Sequence, residues 1–208
     1  MGRYTGAVCR LCRREGVKLF LKGSRCFTEK CAVDRRASVP GQHGAARPRL
    51  TEYSLQLREK QKLKRIYGLM EAQFKNYFFK AEKQKDVTGQ ALLVLLESRL
   101  DNVVYRAGFA VSRSQARMLV RQNHFQVNGN AVNIPSSQVG LNDFIEVREG
   151  SRALIPLKEA MDRLEARGVP DWLDVEQGLF KATVKGRPTK EVIALPVNEQ
   201  LVVELYSR

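Results

Sequence analysis

The chain's four cysteines all fall between residues 9 and 31, as Cys9-x2-Cys12, thirteen residues, then Cys26-x4-Cys31. Two close pairs joined by a loop bring four thiolates to the corners of a tetrahedron. Each pair forms a knuckle, and the loop lets the knuckles meet. The segment that carries them, VCRLCRREGVKLFLKGSRCFTEKCAVDRR (8–36), has too few large apolar side chains to bury four unrelated thiols. It depends on a clip of this kind to fold. Cys9, Cys12, Cys26 and Cys31 are therefore candidate ligands of one metal centre, with Zn2+ first and an iron–sulfur cluster open on the same four-thiolate set. A dithiol redox role is the weaker reading, because no βαβ pattern surrounds the Cys-x2-Cys.

The same segment is dense with cations. The formal net charge of the 208 residues is +14. Residues 1–66 hold 17 Lys and Arg against 5 Asp and Glu, whereas residues 67–208 hold 19 against 17. A surface tuned only for solubility needs no such segregation, so the excess points to a polyanion, either nucleic acid or an anionic membrane. The most apolar run, ALLVLLESRL (91–100), is broken by Glu97 and Arg99, far short of the roughly 18 to 20 apolar residues of a span. The opening MGRYTGAVCR has no apolar signal core, and Gly6 stands where a myristoylation signal needs Ser or Thr. A cytoplasmic location and no membrane partner are expected, and structural disulfides are rare in that compartment. Four thiolates around a divalent ion carry a net charge of about −2. Arg10, Arg13, Arg14, Lys18, Lys22, Arg25, Arg35 and Arg36 greatly outnumber what that requires, which leaves a surplus to face phosphate.

Beyond the cysteines, ASVPGQHGAARPRL (37–50) reads as loop. Thr51 is placed to cap a charged helix that Gly68 ends. Phe74, Tyr77, Phe78 and Ala81 recur at helical spacing and read as core. Thr88 begins what the pattern predicts as one long helix to about Arg106, stopped by Gly108. Ser112 opens another, with Gln115 completing a capping-box pattern. Asn128-Gly129 predicts a hairpin, and residues 140–147 another strand. Leu157, Ala160, Met161 and Leu164 mark a further helix closed by Gly168. Near the end Asn198 suits a helix cap, while Leu201, Val203 and Leu205 equally suit a strand. On the helix from Ser112, Arg113, Arg117 and Arg121 fall at i, i+4 and i+8, a single stripe. No acidic residue lies between Asp101 and Asp143, so the stripe is expected to meet phosphate.

SRLDNVVYRAGFAVSRSQARMLVRQNHFQVNG (98–129) resembles the helix–helix–hairpin RNA-binding module shared by a ribosomal protein, several pseudouridine synthases and bacterial tyrosyl-tRNA synthetases. PGQHG (40–44), LREKQKLKRIYG (57–68), LESRLDNVVYR (96–106) and LPVNEQLVVELYSR (195–208) resemble the family of bacterial small-subunit ribosomal protein four. The cysteine spacing is similar to the metal-binding branch of that family. The likeness covers essentially the whole chain and is weakest over about 150–190.

The resemblance implies an α+β fold: an N-terminal metal knuckle and basic segment (1–45), a helical domain (46–97), an inserted helix–helix–β-hairpin RNA-binding module with a small antiparallel sheet (98–157), and residues 158–208 returning to the helical domain. It implies direct binding to the 5′ domain of small-subunit rRNA, a part in nucleating subunit assembly, and contact with other small-subunit proteins, notably protein five, at an interface linked to decoding accuracy. It also implies that Arg47 and Arg49 line the channel through which mRNA enters. Ala45-Ala46 departs from the family there, since a further basic residue is common at that place. The full set of candidate RNA contacts is Arg3, Arg10, Arg13, Arg14, Lys18, Lys22, Arg35, Arg36, His43, Arg47, Arg49, Arg58, Lys60, Lys62, Lys64, Arg65, Arg113, Arg117, Arg121, His124 and Asn128.

Two rival readings fit the residues less well. An RNA-modifying enzyme needs a catalytic domain, yet 51 residues (158–208) follow the module, and neither His43 nor His124 has an identifiable catalytic partner. A zinc-dependent DNA-binding regulator would place its arginines beside the zinc site and carry a dimerisation segment. The reading is thus a non-enzymatic RNA-binding protein with no small-molecule substrate.

Overall fold

The computed structural model describes residues 2–44, 46, 49, 51–193 and 195–207. The chain divides into two compact units, one made of Met1–Leu92 with Leu195–Arg208, the other of Leu93–Ala194.

The first unit is helical. It begins with α1 (Cys9–Glu15), a 3-10 turn at Gly23–Phe27 and α2 (Ala32–Arg35). The main helix, α3 (Glu52–Ile66), starts in a reciprocal cap: the Ser54 N–H donates to Thr51 Oγ1 at 3.2 Å, and the Thr51 N–H donates to Ser54 Oγ at 3.1 Å. Its buried stripe is narrow, comprising Gln56, Lys60, Leu63 and Ile66. After α4 (Glu71–Glu82) come α5 (Thr88–Glu97), whose residues from Leu93 onward belong to the second unit, and, much later, α11 (Glu199–Tyr206). Phe74, Phe78 and Ala81 are buried, as their spacing predicts. Tyr206 stacks on Phe78 with ring centroids 4.5 Å apart. The choice between helix and strand at residues 199–206 is decided by Asn198, whose Oδ1 accepts from the Gln200 N–H at 3.0 Å. Val202 from this helix is fully buried.

The second unit joins α6 (Leu100–Arg106) and α7 (Arg113–Arg121) to a sheet of β1 (Phe125–Val127), β2 (Asn130–Ala131), β3 (Phe144–Val147), β4 (Leu173–Glu176) and β5 (Lys181–Val184). Strand order is β2-β1-β3-β5-β4, and every neighbouring pair is antiparallel. Side chains alternate across it. Phe125, Ile145, Val147, Ala182 and Val184 are buried with Leu100, Val103, Val104, Ala116 and Val120 of the helices. Gln126, Glu146 and Lys181 take the other side of the register. The helices α8 (Ile155–Met161) and α9 (Leu164–Arg167) add Leu157 and Leu164 to the buried set. A short helix, α10 (Lys190–Ile193), follows β5.

Two expectations change. The predicted helix from Thr88 to Arg106 is two helices. At Arg99 the backbone is extended, Leu100 donates to Ser137 O and Val139 donates to Ser98 O, each at 2.8 Å. Ladder bonds with residues 137–139 thus replace the helical bonds that would have bridged the break. Second, residues 158–194 do not return to the helical unit. β4 and β5 pair with each other and with β3, which keeps this stretch on the sheet, and only residues 195–208 rejoin the helices.

Tight turns fix the second unit. Asn128 and Gly129 both have positive φ, 51° and 78°, as a two-residue hairpin of this twist requires. Gly108, between α6 and α7, has φ 88°, and a Cβ there would meet Leu164 Cδ1 at 2.4 Å.

Candidate nucleic-acid interface

Cys9, Cys12, Cys26 and Cys31 line one pocket, shared with Val8, Leu21, Lys22, Arg25, Ala32 and Val33. α1 supplies Cys9 and Cys12, the 3-10 turn supplies Cys26, and Cys31 stands at the start of α2. All four are free thiols; Cys12, Cys26 and Cys31 are buried and Cys9 is half-buried. The Lys22 N–H donates to Cys26 Sγ at 3.3 Å, and the Leu19 N–H donates to the Cys12 sulfur. Burial pushes both thiols up, and these amide bonds pull them back toward the thiolate. Among the described residues, no set of three or more His, Cys, Asp or Glu meets the geometry of a formed metal cage.

The cations around the pocket divide by what they touch. Arg3, Arg10, Arg14, Lys22, Arg35, Arg36, His43 and Arg49 are exposed. Arg13 donates to Ser38 O at 3.0 Å, and Lys18 pairs with Asp34 at 2.6 Å. Arg47 lies outside the described residues.

The basic residues of α3 differ from expectation, because all five have acidic partners inside the chain. Arg58 and Arg65 both reach Glu15, whose side chain is fully buried. Lys62 pairs with Glu59. Lys60 and Lys64 both pair with Glu71, at 2.5 and 2.8 Å. Lys60 is only 7% exposed, which removes it from any RNA-facing set. Its partner lies 11 residues away and that of Arg65 lies 50 away, separations at which no local charge pattern would reveal the pairing.

The stripe on α7 is also divided. Arg121 is exposed, but Arg117 is buried, with its guanidinium 3.7 Å from Asp101. Arg113 donates to Asn102 Oδ1 at 2.7 Å, approaches Glu97 at 3.8 Å and packs over the Tyr105 ring. The expectation of a single solvent-facing stripe is corrected by this network. Glu97, fully buried, also accepts from Asn102 and from Arg106, and Arg99 forks onto Asp101 at 3.0 and 2.7 Å. The acids, Glu97 at the end of α5 and Asp101 in α6, lie at the near edge of the acid-free stretch, and the chain reversal between α6 and α7 brings the arginines back to them.

His124 lies half-buried with Nδ1 2.9 Å from Ser151 Oγ. The Asn128 side chain is used within the fold, donating to Asp143 Oδ1 at 2.7 Å and accepting from the Phe144 N–H at 3.0 Å. Its exposed turn leaves the neighbouring backbone of Gly129 open, with nothing within 4 Å of a Cβ position.

An exposed basic segment on a cysteine pocket, followed by a two-helix and hairpin unit, is the kind of cationic surface that nucleic-acid-binding proteins present. A model of the Ribosomal protein S4/S9 N-terminal domain matches residues 3–97, and one of the S4 domain matches residues 98–145. Over the full length of both chains, the sequence is 61% identical to the small ribosomal subunit protein uS4 of Desulfovibrio desulfuricans and 55% identical to that of Geobacter sulfurreducens. It is 58% identical to that of Syntrophus aciditrophicus, again with both chains fully covered. The chain belongs to the uS4 family of small ribosomal subunit proteins, which are structural proteins rather than enzymes. No helix among the described residues is long and apolar enough to cross a membrane.

Proposed function

We propose that this chain is a structural part of the small ribosomal subunit in the cytoplasm, where it binds the 5′ domain of small-subunit rRNA and helps to nucleate assembly. The observation that carries the reading is the surplus of exposed cations that survives internal pairing: Arg3, Arg10, Arg14, Arg35, Arg36, Arg49 and Arg121 stay at the surface, while Glu15 and Glu97 are buried against arginines inside the fold. Folded RNA is recognised mainly through backbone and shape, which suits a broad cationic surface with few base-reading groups. Arg47 and Arg49 are assigned to the channel through which mRNA enters. Contact with small-subunit protein five, bearing on decoding accuracy, is part of the same reading.

The four cysteines are assigned to one structural metal ion, Zn2+ first and an iron–sulfur cluster second. What supports this is the chemistry of the donors rather than a formed cage: four sulfurs line one pocket, and two accept backbone N–H bonds of the kind that stabilise thiolates. The metal would supply a clip for a segment with little core of its own.

Binding to a 5′-domain rRNA transcript over a salt series tests the RNA reading. Affinity no better than for a random structured RNA overturns it. Purified wild-type protein without stoichiometric zinc or iron overturns the metal assignment.

A further inference from the structure

We infer that the exposed ring pair Phe20–Phe27 is a stacking platform for an unpaired base of the RNA; this rests on the rRNA reading above and adds a contact to it. The two rings are stacked on each other, centroids 4.9 Å apart and 28° from parallel. Yet they do not form a core, for Phe20 is 37% exposed and Phe27 is 64% exposed. A single exposed apolar residue needs no explanation, but a preformed pair of stacked rings in a segment short of core is another matter.

The backbone adds a second observation. Phe20 has φ 51°, in the left-handed region, where a bulky side chain is a true outlier. Leu19 just before it is buried at 3%. Glycine would hold this turn without strain, so the chain accepts a strained conformation that sets a phenyl ring at the surface beside Phe27.

Charge selects the occupant. Between Gly16 and Val33 stand Lys18, Lys22, Arg25 and Lys30 against one acid, Glu29. Lys18 is engaged with Asp34, while Lys22, Arg25 and Lys30 have exposed side chains. Aromatic faces ringed by cations are how proteins hold single-stranded nucleotides: the base stacks and the phosphates on either side meet the charges. A second copy of this chain would bring the same positive charge and be repelled.

The test uses the full chain and a 5′-domain rRNA transcript, with a shuffled transcript as control. Phe27→Ala is expected to weaken binding about tenfold without changing the slope of log affinity against log salt. Phe27→Tyr, which keeps the π face, is expected to bind as wild type. Because Phe27 is largely exposed, its truncation opens no cavity, and hydrogen exchange over residues 9–35 checks the fold. As an independent readout, the emission added by Phe27→Trp, measured above the background of buried Trp172, is expected to be quenched at saturation.

Wild-type affinity in Phe27→Ala, as expected if a protein covers the rings instead, overturns the platform. So does an unquenched tryptophan at saturation, or a loss of affinity that tracks lost exchange protection. Wild-type protein that fails to prefer the transcript over its shuffled control overturns the rRNA reading instead, and the platform with it.

Discussion

The phenol of Tyr206 donates a 3.0 Å hydrogen bond to Oε1 of Glu71, 135 residues away in sequence. The same oxygen receives Lys60, and Lys64 takes the other. One carboxylate thereby ties α3, α4 and α11 together at a single point. Burial pushes the Tyr206 phenol above its ordinary range, and the Glu71 charge beside it adds to that.

Acid should loosen this tie. Burial raises the Glu71 carboxyl, but the hydrogen bonds from Lys60 and Lys64 outweigh it and hold the group down to about 2. A folded-state pKa below the unfolded one contributes stability that is complete above about 4.5 and lost as pH falls toward about 2. With a side chain roughly half exposed, the effect is screened to about 1 kcal/mol. Thermal melts of wild type and Glu71→Gln are expected to differ at pH 7 and converge near pH 2. A constant difference across that range would contradict the assignment.

The Arg99–Asp101 fork is nearly sealed from solvent, with side chains 1% and 6% exposed. Removing one partner leaves a buried charge, so Arg99→Met is expected to destabilise the chain by about 3 kcal/mol in urea unfolding. Arg99→Met combined with Asp101→Asn should cost less than the sum of the two single changes. Additive losses would mean that the two side chains act separately.

Basic residues that look alike in the sequence should behave differently toward RNA. Arg121→Ala, at an exposed position, is expected to reduce the salt slope of rRNA binding by about one. Lys60→Met should leave that slope unchanged and lower the melting temperature instead, since Lys60 is buried against Glu71. Equal slopes for wild type and Arg121→Ala would remove Arg121 from the interface.

On the four-thiolate assignment proposed above, Cys9→Ser is expected to lower the metal content found by elemental analysis relative to wild type and to speed hydrogen exchange over residues 9–35. Far-UV circular dichroism should retain most of its helical signal, because the cores of residues 51–208 contain no cysteine. Global unfolding would show that the segment and the helices form one cooperative unit.

Gly108→Ala places a Cβ against Leu164 on a backbone that L residues rarely adopt. A loss of about 1–3 kcal/mol is expected from strain alone, read as a lower urea midpoint with an unchanged m-value.

Local chemistry was the legible part of this fold. Thr51, Ser112, Asn128-Gly129 and Asn198 each act within a few residues of themselves, and each does what its type suggests. Ser112 accepts from the Gln115 N–H, although Gln115 reaches back to Val111 rather than to Ser112. What sequence spacing left hidden was pairing over distance. Glu15 with Arg65, Glu71 with Lys60 and Asp101 with Arg117 are ion pairs created by packing, and they convert an apparently uniform run of cations into one group that holds the fold and another that faces outward. The break at Arg99 escaped for the same reason: the apolar periodicity runs through it, and only the partners at 137–139 reveal it. The strained turn at Phe20 carries no signal in residue type at all.

The first unit is assembled from two stretches of chain that enclose the whole of the second. Residues 195–208 carry Val202 and Tyr206 into a core otherwise complete by Leu92. During synthesis, then, the sheet and its two helices have all their parts while the helical unit still lacks one wall. A chain truncated anywhere between 195 and 202 would keep a whole hairpin module and lose the closure of the helical unit, leaving Phe74 and Phe78 without the ring that stacks on them.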